Sequence, residues 1–118
     1  MDNREEVFEI ISLADLVPIQ ENDPVSARMR MSGEFRLLWT VLEDGVDSYL
    51  RYATHPSPAM QELFREAEQW IESEDDEWLC SFVSLCRAFQ IDPTYLRRGL
   101  RQRLQEIRRE AAVLKRAA

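Results

Sequence analysis

The segment from Pro93 to Arg116 constrains this chain most. It has no breaker after Pro93 except Gly99, and Leu96, Leu100, Leu104, Ile107, Ala111 and Leu114 recur at intervals of three and four. That spacing predicts one long amphipathic helix. Asp92-Pro93 marks its start, a capping carboxylate followed by proline at the first helical position. A helix of this length extends about 36 Å, more than one small core can cover.

The preceding segments read the same way. Val7, Ile10, Ile11, Ala14 and Leu16 mark a first helix over about residues 3–17, which Pro18 ends. Residues 18–33 read as a loop punctuated by Pro18, Asn22, Pro24 and Gly33. A second helix spans about residues 32–54, with Phe35, Leu38, Trp39, Leu42, Val46, Tyr49 and Leu50 on its apolar stripe. His55-Pro56 closes it. Ser57-Pro58 opens a third helix, which buries Met60, Leu63, Phe64, Ala67, Trp70 and Ile71. The acidic run 72–77 reads as a solvated turn, Ser81 as the cap of a short helix over Phe82 to Phe89, and Gln90-Ile91 as a tight turn. The expected fold is all-α: a single compact helical domain over residues 1–118, of about five helices, ending in a helix-turn-helix.

Composition agrees. With 45% apolar and 31% charged residues and only 3 glycines among 118, the chain is globular in type and rich in helix formers. No apolar run is long enough to span a bilayer, and the acidic start lacks the pattern of a secretory signal. Cys80 and Cys86 match neither a C-x-x-C pair nor a zinc knuckle and read as small buried thiols, consistent with a reducing cytoplasmic setting. The net charge of −7 is unevenly spread: residues 1–80 carry −13 and residues 81–118 carry +6. Such segregation points to a partner for the basic end, or to attraction between the two halves.

Residues 82–104 carry the clearest motif. Leu85 and Phe89 supply the buried side of the short helix, Cys86 is small where two helices would cross, Ile91 is the apolar residue after the turn, and Leu96 and Leu100 anchor the next helix. This pattern resembles the helix-turn-helix of bacterial DNA-binding regulators. Gln90 stands where that motif usually has glycine. The wider stretch from Phe64-Arg-Glu-Ala-Glu-Gln-Trp to Tyr95-Leu-Arg-Arg-Gly-Leu is similar to a family of small uncharacterised bacterial proteins, which implies a compact helical domain with this ending and no particular activity.

On a helical wheel Thr94, Arg97, Arg98, Arg101, Gln105 and Arg108, with Arg109, Lys115 and Arg116, fall within an arc of about 120°. The leucine stripe lies opposite, and Arg103 alone among the cations sits on the apolar side. Thr94, Arg97, Arg98 and Arg101 are the positions from which a recognition helix reaches the major groove, where the arginine fork grips guanine or phosphate. The six residues from Thr94 to Arg108 are therefore the candidate nucleic-acid contacts. DNA is the expected partner, and the expected function is a small DNA-binding or transcription-associated regulator. The heptad-like tail from Leu100 to Leu114 suggests a homodimer, with packing against the first helix as the competing arrangement. The alternative function is a protein-interaction adaptor whose cationic helix docks on an acidic surface, a reading that the overall negative charge favours.

Nothing points to catalysis. His55 is the lone histidine and lies in a turn, the glycines are isolated, and the acids of residues 72–77 sit in a polar run where nothing raises a pKa for acid–base work. No metal site, cofactor or membrane association is expected, and Trp39, Trp70 and Trp78 read as core residues.

Overall fold

The computed structural model describes residues 33–117. They form four helices: α1 (Gly33–Arg51), α2 (Pro58–Glu72), α3 (Phe82–Ala88) and α4 (Pro93–Ala117). The expected helix at residues 3–17 and the loop at 18–33 lie outside the described residues, Gly33 excepted. Gly33 itself opens α1. The described part is all-helical, with four helices where about five were expected for the whole chain.

α1 and α2 form an antiparallel pair. Gly45 lies beneath the Trp70 indole, where an added Cβ would come within 2.3 Å of the ring. Further along, Tyr49 stacks on Phe64 at 5.4 Å between centroids. The indole is held in place because its Nε1 donates to the Cys80 carbonyl at 2.8 Å. α4 lies antiparallel to α2, with Arg97 beside Ile71 and Arg108 over the Phe64 ring. α3 closes one end: Phe89 receives Phe35 and Trp39 edge-on, and Phe82 receives Trp70. Leu42, Ile71, Phe82, Leu85, Cys86, Leu96 and Leu100 are fully buried at the centre. Burial pushes the Cys86 thiol up to about 12, so it remains a neutral, small core group.

The local signals act as their chemistry dictates. Ser81 Oγ accepts from the Ser84 amide at 3.2 Å and caps α3. Asp92 Oδ1 accepts from the Thr94 amide at 2.9 Å and opens α4. Ser57 differs: its hydroxyl makes no cap bond, and its amide donates to His55 Nδ1 at 3.0 Å instead. Two expected core positions are on the surface. Trp78 is 60% exposed, in the connection between α2 and α3, and Leu63 is also exposed on α2.

Between α3 and α4 the backbone takes one unusual step. Gln90 has φ of 60°, the only positive φ at a non-glycine among the described residues. This is the position where the resembled motif usually has glycine, and glycine adopts such angles freely. The step lets the Ile91 amide reach back to the Cys86 carbonyl at 2.8 Å, which fixes the turn and buries Ile91.

Candidate nucleic-acid interface

The six candidate residues all lie on α4, and the structure divides them. Arg97 is turned inward and only 7% exposed. Its Nε donates to the Ile71 carbonyl at 2.7 Å, one terminal nitrogen to Glu74 at 2.8 Å and the other to the Ser73 carbonyl at 2.8 Å. The guanidinium also lies over the Phe82 ring at 5.3 Å. The expectation that Arg97 projects away from the core is thus corrected. It closes the C-terminal end of α2, whose last carbonyls have no helical partner and attract a cation.

Arg101 is exposed but paired with Glu72, with its Nε 3.0 Å from the carboxylate. The pair holds the Glu72 carboxyl below the usual carboxylate range and raises Arg101. Arg108 lays its guanidinium over the Phe64 ring at 5.4 Å. Arg97, Arg101 and Arg108 therefore form one edge of the wheel arc, and that edge packs along α2. The wheel gives the phase of each side chain correctly. It does not show where the acidic end of α2 sits.

Thr94, Arg98 and Gln105 remain exposed. Together with Gln102 and the outer side of Arg101 they line a shallow open depression along α4. Tyr95, 53% exposed, and Arg109 extend the same face. Sequence reasoning missed Tyr95 and Gln102. Both lie just outside the cationic arc, and the signal that would have found them is hydrogen-bonding capacity rather than charge.

Charge on this face is positive and unspent. Among the described residues Arg98, Arg109, Lys115 and Arg116 enter no ion pair. The two acids of the helix are drawn aside by Arg103, which meets Glu106 at 2.9 Å and Glu110 at 3.7 Å. Arg103 itself is half-buried, as its place on the apolar side of the wheel requires, and its Nε is buried without a hydrogen-bond partner.

Among the described residues no three His, Cys, Asp or Glu side chains gather in a way that holds a metal ion, and no helix is long and apolar enough to cross a membrane. Compared with protein-family models, curated proteins and solved structures, the chain matches none.

Proposed function

We propose that this chain is a small DNA-binding, transcription-associated protein of the bacterial regulator type, working in the cytoplasm, with α3, its turn and α4 as a helix-turn-helix. One observation carries the reading. α4 follows α3 through the left-handed step at Gln90, and its leading turns carry Thr94, Arg98, Gln102 and Gln105 exposed to solvent. These are the side-chain types that read base edges and phosphates in a major groove. Tyr95 and Arg109 flank them. Arg97 and Arg101 leave the list of direct contacts and act as positioning residues that tie the helix to α2.

A mobility-shift titration of the full chain against duplex DNA, at low and at high salt, tests this. Wild type is expected to bind at low salt and to weaken steeply as salt rises. Arg98→Ala is expected to weaken binding and to flatten the log–log salt dependence by about one unit. A chain that binds no duplex at low salt overturns the proposal.

The adaptor reading has one observation of its own: α4 already receives the carboxylates of Glu72 and Glu74 from this chain. A cationic helix that accepts acidic protein groups within the fold has the chemistry to accept them from outside it.

A further inference from the structure

The two ends of α4 face opposite circumstances. At its start, the connection from α2 carries Glu74, Asp75, Asp76 and Glu77 and then the exposed pair Trp78 and Leu79, 60% and 63% accessible. Glu74 and Asp76 are tied to Arg97 and Arg87. Among the described residues Asp75 and Glu77 enter no ion pair. At the far end, about 24 Å along the helix from Arg97, Val113 and Leu114 are 62% and 72% exposed among Arg109, Lys115 and Arg116. The connection and the far end each join exposed apolar side chains to charges unpaired among the described residues, acidic at Asp75 and Glu77 and basic at Arg109, Lys115 and Arg116.

The heptad run in the tail does not account for these residues. Leu100 and Leu104 are used in the chain's own core, so a tail-to-tail coiled coil would keep only the last turns. It would also bring the two cationic ends together, which is repulsive.

We infer that the Val113–Leu114 end of α4 docks on the Trp78–Leu79 connection of a second copy of this chain. Two copies laid antiparallel along α4 bring each cationic end to the other's acidic end, so a single twofold axis closes both contacts. Apolar contact supplies the attraction, and charge sets the pairing and its orientation. The pairing does not require that the protein bind DNA.

Sedimentation equilibrium of the full chain tests the proposal with two charge-reversed variants. One carries Asp75→Lys with Glu77→Lys. The other carries Arg109→Glu with Arg116→Glu. None of these four side chains takes part in an ion pair of the described fold, and circular dichroism confirms that each variant is folded. Wild type is expected at twice 13.9 kDa at micromolar concentration, dissociating as salt rises. Each variant alone is expected as a monomer, because its two ends then carry like charge. An equimolar mixture is expected to form a heterodimer, because every contact in it is again complementary. A monomeric wild type, variants that remain dimeric alone, or a mixture that stays monomeric overturns the proposal.

Discussion

The Arg97 guanidinium meets the Glu74 carboxylate at 2.8 Å, joining the first turns of α4 to the chain that leaves α2. Glu74 is largely in water, whereas Arg97 is buried against the Ile71 and Ser73 carbonyls. The interaction is therefore a cation closing a helix end, with the carboxylate as a solvated third partner. Arg97→Ala strips two backbone carbonyls of their donor and removes the guanidinium that lies over Phe82. It is expected to lower stability by about 2–3 kcal/mol, whereas Arg98→Ala stays within about 0.5 kcal/mol. Urea unfolding of the two variants checks this. Equal midpoints would show that Arg97 is not anchored.

Gly45→Ala is expected to destabilise despite the better helix propensity of alanine, worth about 1 kcal/mol. The new methyl would meet Trp70 ring carbons at 2.3 Å and 2.7 Å. The indole cannot move aside without breaking its bond to the Cys80 carbonyl. Overpacking of this kind costs about 1–3 kcal/mol, and the net loss appears as a lower melting temperature. Alanine at Gly33, where nothing lies within 4 Å, is the control and is expected not to lower it.

The sequence makes the helices legible because their signals are local. Proline at the first helical position marks the starts of α2 and α4, and the three-and-four spacing identifies the buried sides of Leu42, Val46, Leu96 and Leu100. What the sequence hides is contact between elements. The wheel sets Arg97 at the edge of the arc that borders the leucine stripe and Arg98 well away from it, but it does not show the α2 terminus whose carbonyls draw Arg97 inward. Trp78 misleads for a related reason: it falls on no helix, so no periodicity bears on it. The opposite charges of the acidic run and the basic last helix do foreshadow the ion pairs Arg97–Glu74 and Arg101–Glu72.

Gln90→Gly is expected to stabilise the protein by about 0.5–1 kcal/mol. A side chain at φ of 60° costs about 1–2 kcal/mol, which glycine avoids, although glycine also gains freedom in the unfolded chain. Gln90→Val is expected to do the reverse, because a β-branched residue tolerates that region worst. Thermal melts of both variants give the sign. A destabilised glycine variant would show that the Gln90 side chain contributes more than its backbone costs.

The pH dependence of stability should expose the Glu72–Arg101 pair. The ordinary value for this carboxyl is 4.5, and Arg101 holds it lower in the folded chain, through its hydrogen bond first and its charge second. Above 4.5 the group is ionised in both folded and unfolded chains, and the pair contributes in full. As pH falls through that value the unfolded chain takes up the proton first, and the contribution is lost until the folded carboxyl is protonated as well. Glu43 and Asp47 on α1 act in the opposite sense, because burial raises both. The folded chain keeps their protons to higher pH, so they favour it on the acid side and that advantage is lost as pH rises. Glu72→Gln is therefore expected to lower the urea midpoint near neutral pH and to converge on wild type under acid conditions, whereas Glu43→Gln is expected to raise the midpoint near neutral pH. Both groups are well exposed, so solvent screening keeps the two effects small, and it is the opposite trend with pH that identifies them. A Glu72→Gln deficit that stayed constant across the acid range would show that the carboxylate charge is not what the pair contributes.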